Sequence, residues 1–116
     1  MGVLSKLSRR LNPFPPELRE EILERDRRCF MTRLDPNHQC RDRWGNRHRS
    51  DDRRYLTMEH VKQHLAMGIM KKHLPWLVVA LCGYENNRPP SAQTRMAMRS
   101  YLAALYPDQW GGSPYN

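Results

Sequence analysis

The apolar positions of this chain fall into four clusters, each with its own period. Leu18 and Ile22, with Leu23 beside them, lie at helical spacing. Pro16 suits a first turn, where its missing N–H costs nothing. Glu17, Glu20 and Glu21 lie toward the helix end that favours negative charge, and Arg25, Arg27 and Arg28 toward the end that favours positive charge. A helix over 16–27 is predicted. Residues 55–61 mix aromatic, β-branched and other apolar residues and predict a strand. Residues 76–81 form a nearly continuous apolar run, the mark of a strand buried on both faces. Met98, Leu102 and Leu105 recur at i, i+4 and i+7, behind Ser91, which can cap a helix, and ahead of Pro107, which stops it. Two strands alone are marginal, so the helices must cover them.

The polar stretches between these clusters divide the chain further. Residues 1–15 read as a basic flexible arm and 108–116 as a disordered tail, leaving a single domain over 16–107. Residues 29–54 show neither period. A loop of that length in a compact domain is usually functional, metal-clipped or disordered. Residues 62–74 read as a linker with at most a short helical turn, and 83–90 as a turn or a single helical turn. His64 and His73, beyond the first strand, are read as exposed loop residues, the alternative being an approach to a bound ion or a phosphate. The expected class is α+β, with an N-terminal helix, a long Arg-rich loop, two strands and a C-terminal helix.

Charge narrows the function. Lys and Arg number 20 against 12 Asp and Glu, a formal net charge of +8 in 116 residues. Most of the cations are Arg, whose planar fork of donors matches phosphate. A strongly basic small domain points to a polyanion partner, here nucleic acid. No run approaches the ~20 apolar residues of a membrane-spanning helix. The first residues lack the apolar core of a secretory signal. An odd count of three cysteines argues against a disulfide scaffold and for reduced thiols, hence a cytoplasmic setting. Cys29, Cys40 and Cys82 could form three corners of a structural zinc site, with His38 or His48 as the fourth. The alternative is three small buried thiols.

The residues that carry chemistry are Glu59-His60 at the end of the first strand and Asn86-Asn87 after the second. A carboxylate can hold a hard divalent ion such as Mg²⁺, and an imidazole can take a proton from water. An Asn carbonyl can complete one side of the ion. Adjacent side chains in a regular strand face opposite ways, so Glu59 and His60 share a site only if the strand ends or bulges there.

Leu56-Thr57-Met58-Glu59-His60-Val61, Leu77-Val78-Val79-Ala80-Leu81-Cys82 and Asn86-Asn87-Arg88, preceded by Glu24-Arg25-Asp26-Arg27-Arg28-Cys29, resemble the HNH (ββα-metal) endonucleases. The chain is particularly similar to the small HNH proteins of actinobacterial phages, over roughly residues 17–106. The resemblance implies a ββα-metal core and a metal-dependent DNA endonuclease acting in a phage-infected bacterial host. It assigns His60 as general base, Glu59 as metal carboxylate and Asn87, or its neighbour Asn86, as the distal ligand. The ion implied is Mg²⁺ or another divalent ion (Mn²⁺, Ni²⁺ or Zn²⁺), with no organic cofactor. The chain departs from the family in three ways. Glu replaces the commoner Asp, the family's middle Asn has no match in His73-Leu74-Pro75-Trp76-Leu77, and both Cys-x-x-Cys pairs are broken.

Arg41, Arg43, Arg53, Arg88 and Arg95 are the expected nucleic-acid contacts, flanking the site with phosphate-gripping charge. Trp44 could stack on a base or pack on the strands. A solvated, self-repelling loop with interleaved acids is the alternative. The competing function is a catalytically inactive HNH-derived module that binds DNA or a host protein.

Overall fold

The computed structural model describes residues 14–61 and 73–115. The expected arm, apart from its last two residues, and most of the expected linker, including His64, lie outside the described residues. In chain order the elements are α1 (Pro16–Asp26), α2 (Met31–Leu34), β1 (Leu56–His60), β2 (Val78–Cys82), α3 (Gly83–Asn86), α4 (Ala92–Leu105) and α5 (Pro107–Trp110). Single 3₁₀ turns, Arg53–Tyr55 and Pro75–Leu77, lead into the two strands. The result is a small α+β fold.

The strands pair antiparallel, from Leu56 opposite Cys82 to His60 opposite Val78. Every residue of β2 is buried, as its unbroken apolar run requires. Ile22 and Leu23 of α1, Phe30, Leu56 and the buried face of α4 (Met98, Leu102, Ala103) complete the core with β2. Ser91 caps α4 by accepting from the Thr94 N–H at 3.1 Å.

Two expectations at the C-terminal end change. Leu105 does not extend the apolar stripe of α4; it is 47% exposed. The expected tail from 108 is also not uniformly loose. Pro107 starts α5, which turns the Trp110 indole into the core, where its Nε1–H donates to the Trp76 carbonyl at 2.8 Å.

β1 satisfies only one edge of β2, and the segment 25–30 satisfies the other. The Val78 carbonyl accepts from Arg25 Nη2 at 2.6 Å. The Ala80 N–H donates to Asp26 Oδ2 at 2.8 Å, and the Ala80 carbonyl accepts from the Phe30 N–H at 2.9 Å. The Cys82 N–H donates to Cys29 Sγ at 3.3 Å. These are the outward groups of alternate residues, which an extra strand would otherwise pair.

Asp26 is central to this arrangement. Its side chain is fully buried, and it also accepts both prongs of the Arg25 guanidinium, at 2.7 and 3.0 Å, and the Tyr101 hydroxyl at 2.5 Å. Burial works against the Arg25 charge, but the hydrogen bond and charge of Asp26 outweigh it and hold its pKa above the usual range. Burial, with the hydrogen bond to Asp26, pushes the Tyr101 hydroxyl up to about 12. A sequence reading that assigns Arg25 to the helix dipole misses this role.

Replacing Asp26 with Asn keeps the shape but leaves Arg25 without its counter-charge in a largely buried place. The expected cost is about 3–5 kcal/mol, read from urea unfolding of D26N against wild type. An unchanged midpoint would mean that the carboxylate is not what holds the edge.

Candidate functional site

Four metal-ligating side chains converge where α1, the long loop and β2 meet. Cys29 follows α1, His38 and Cys40 come from the loop, and Cys82 ends β2. Their donor atoms all lie within 4.8 Å of one another, and the three thiols are buried. No other group of three or more such residues converges in this way among the described residues. His38 Nε2 is 3.7 Å from Cys82 Sγ. Zn–S and Zn–N bonds of ~2.3 and ~2.0 Å in a tetrahedron give edges of roughly 3.3–3.8 Å. The donor set and its spacing therefore fit, and the cluster can hold a metal such as zinc.

Local hydrogen bonds position the ligands. The Cys29 N–H donates to the Ser50 carbonyl at 2.9 Å, drawing the far end of the loop back to its start. Asp35 turns the chain toward His38 by accepting from the Asn37 N–H at 3.0 Å. His48 does not join the cluster. Its ring stacks on Tyr55 with centroids 5.0 Å apart, and its Nδ1 lies 2.8 Å from the Arg49 carbonyl.

Three thiols this close cannot all ionise without a cation. Hydrogen bonds from Cys29, Cys40 and His38 stabilise a thiolate at Cys82, well below the usual thiol range. Hydrogen bonding to Cys29 and Cys82, together with burial, pushes Cys40 far up. At Cys29 the hydrogen bond with Cys40 pulls down, but the contact with Cys82, burial and its charge outweigh it and bring the thiol to about 11.

A second feature lies at the other end of the strand pair. Because β1 ends at His60, Glu59 and His60 both line one cleft of about 290 Å³, despite their opposite strand faces. Arg95 and Arg99, one helical turn apart on α4, line it as well. His60 Nε2 lies 3.1 Å from His73 Nδ1, and Phe14 packs edge-on against both rings. His73 is therefore a half-buried partner of His60, not the exposed loop residue expected.

The remaining expected residues are placed elsewhere. Asn86 ties α3 to β1, donating to the Thr57 hydroxyl at 2.7 Å. Asn87 lines a different groove, together with Asp42, Arg43, Trp44, Arg54 and Tyr55. Of the expected nucleic-acid contacts, Arg95 is in the Glu59–His60 cleft and Arg43 in the Asn87 groove. Arg41 pairs backbone-to-backbone with Arg47, Arg53 forms an ion pair with Glu20, and Arg88 donates to the Tyr84 hydroxyl at 2.7 Å. No helix among the described residues is long and apolar enough to cross a membrane.

Compared with profiles of known protein families, with curated proteins and with solved structures, the chain matches none.

The thiol cluster makes a direct prediction. Purified protein supplied with zinc retains about one equivalent, and Cys40→Ser or removal of the metal lowers the Tm by roughly ten degrees or more. Cys29 and Cys40 must lose protons held above their usual range before they bind. Zinc affinity therefore rises with pH and falls as the solution is acidified, measurable by competition with a chromophoric chelator. Retention below ~0.2 equivalents at neutral pH would rule out a structural zinc.

Proposed function

We propose that this chain is a metal-dependent endonuclease that hydrolyses phosphodiester bonds in DNA, with β1, β2 and α3 serving as an HNH-type ββα-metal core. The observation that supports this reading is the cleft in which Glu59 and His60 face Arg95 and Arg99, with His73 against His60. It brings a carboxylate, a base and two phosphate-binding cations to one place, as hydrolysis of a phosphodiester requires.

In this reading Arg95 and Arg99 bind and orient the phosphate through charge-assisted hydrogen bonds. His60 accepts the proton of the attacking water. His73 positions the His60 ring through their hydrogen bond. It stands in the segment where the family's middle Asn has no counterpart, and the contact lets it orient the base from there. Glu59 would be the protein ligand of a divalent ion, leaving most of the coordination sphere to water and phosphate, as Mg²⁺ prefers. Such an ion, Mg²⁺ or Mn²⁺, Ni²⁺ or Zn²⁺, supplies charge stabilisation at the phosphoryl oxygens when bound. Asn87 lines the other groove and has no role in this arrangement.

A second reading is a DNA-binding module on the same scaffold without hydrolysis. The placement of Asn86 and Asn87 away from the cleft favours it. Relaxation of supercoiled plasmid with Mg²⁺ or Mn²⁺ separates the two. Wild type is expected to nick, His60→Ala to lose at least a hundredfold, and His73→Ala to lose less. His73→Asn is expected to recover part of that loss, because its amide can restore the hydrogen bond. A wild type that leaves the plasmid uncut with every divalent metal tried yet shifts DNA in a gel would establish the binding module.

A further inference from the structure

The groove around Asn87 presents an aromatic ring with unusual deliberateness. Trp44 is 74% exposed although it is the largest apolar side chain of its loop. It does not hang on a loose chain. Asp42 Oδ1 accepts from the N–H groups of both Trp44 and Asn46 at 2.9 Å, and the Asp42 N–H donates to the Asn46 carbonyl at 2.9 Å. Gly45 completes this turn with φ +90°, a conformation that favours glycine.

The base of the turn is fixed as well. The Tyr84 N–H donates to the Arg41 carbonyl at 2.9 Å, and a Cβ on Gly83 would meet the Arg43 backbone nitrogen at 3.2 Å. A side chain there would push the turn away by a few tenths of an ångström. Cys40, one residue before Arg41, belongs to the metal cluster. The ring thus projects from a turn anchored at both α3 and the cluster.

The surroundings are those of a nucleotide. The Arg43 guanidinium lies over one face of the indole, 4.5 Å from its centroid, and the ring's large exposure leaves the other face open. Arg54 lies at the groove, its charge shared with Asp52 in an exposed pair that contributes little stability and that a phosphate can enter. The acid in the groove, Asp42, already accepts from the turn's own amides. Asn87 offers an amide able to read a base edge. The groove measures about 240 Å³.

We propose that Trp44, Arg43, Arg54 and Asn87 form a subsite for one unpaired nucleotide of a DNA strand, separate from the Glu59–His60 cleft. The base stacks on the open face of Trp44, Arg43 backs the ring from the other face, Arg54 holds the phosphate, and Asn87 meets the base edge. Stacking on an aromatic platform flanked by arginines is indifferent to sequence and selects single strands over duplex. The choice of DNA rests on the endonuclease reading above; the stacking geometry does not.

The test is fluorescence anisotropy with the full, zinc-loaded chain and no added magnesium, so that binding is read without hydrolysis. The probes are a labelled oligothymidylate, a duplex of equal length and an oligouridylate. Wild type is expected to bind the oligothymidylate most tightly. Trp44→Ala should weaken that binding about tenfold or more, and Trp44→Phe much less. Tyr115→Ala, which removes an equally exposed aromatic at 76% exposure, should leave it unchanged. Each variant must retain one equivalent of zinc, which shows that the cluster and its loop are intact.

Equal binding by W44A and wild type, or an equal loss in Y115A, overturns the subsite. Equal affinity for oligouridylate overturns its assignment to DNA. If W44A instead loses only binding to phosphatidylglycerol–phosphatidylcholine vesicles, the tip is a membrane contact and the subsite is lost. The two readings fail separately. A chain that never nicks plasmid but loses oligonucleotide binding in W44A keeps the subsite and loses the nuclease. A chain that nicks but whose W44A variant binds as wild type keeps the nuclease and loses the subsite.

Discussion

β2 is a fully buried strand with a partner on only one side, and the satisfaction of its second edge organises the molecule. An unpaired N–H or carbonyl in that position would cost about 1–3 kcal/mol each. The segment 25–30 removes the penalty with mixed means: a guanidinium for Val78, a carboxylate and a backbone amide for Ala80, a sulfur for Cys82. Side chains do this because the chain leaves α1 through Arg27, at φ 66°, and so cannot run as a regular strand. The charges brought into the core by this device balance each other, Asp26 against Arg25, and Tyr101 fastens the pair to α4.

The metal cluster is a consequence of the same pairing. The contact that satisfies Cys82 brings Cys29 Sγ against the end of β2. Two ligands are thereby fixed by the core before the loop contributes anything. His38 and Cys40 then close the site from a stretch with little apolar surface of its own. Such a loop loses conformational freedom on folding without a compensating core. A bound ion offsets that loss, because the ligand bonds form only in the folded chain.

The parts legible in the sequence were those that depend on local period or residue type. The i, i+4 spacing of α1 and α4, the cap at Ser91 and the apolar run of β2 each required only neighbours along the chain. So did the suspicion that three odd cysteines and a histidine share an ion, although the spacing of Cys40 from Cys29 matched no common motif. What was not legible depended on which distant groups meet. Asp26 looks like one more charge in a charged helix end, and only the register of β2 shows that it faces the Ala80 N–H. An unbroken strand pair sets His73 several residues beyond His60, and only the Pro75–Leu77 turn brings the two rings together. Pro107 signals the end of a helix, but a proline at N1 equally begins one, and that short helix carries Trp110 into the core.

The strand pair keeps the two sites apart. Cys82 pairs with Leu56 at one end of the ladder, and Val78 with His60 at the other. Four residues of strand separate them by about 13 Å, and every residue of β2 between them is buried. β2 is the element the two share, with Cys82 in the cluster at one end and Val78 opposite His60 at the other. The cleft draws its own cations from α4, where Arg95 and Arg99 approach Glu59 and His60 without crossing the core. In this division the cysteine end of the strand pair anchors the loop that carries Trp44, and the other end carries Glu59 and His60 beside Arg95 and Arg99. A change at Cys40 acts first on that loop and its Trp44 turn. A change at Arg25 or Asp26, whose bonds run from the Pro75 carbonyl to Ala80, reaches both ends at once.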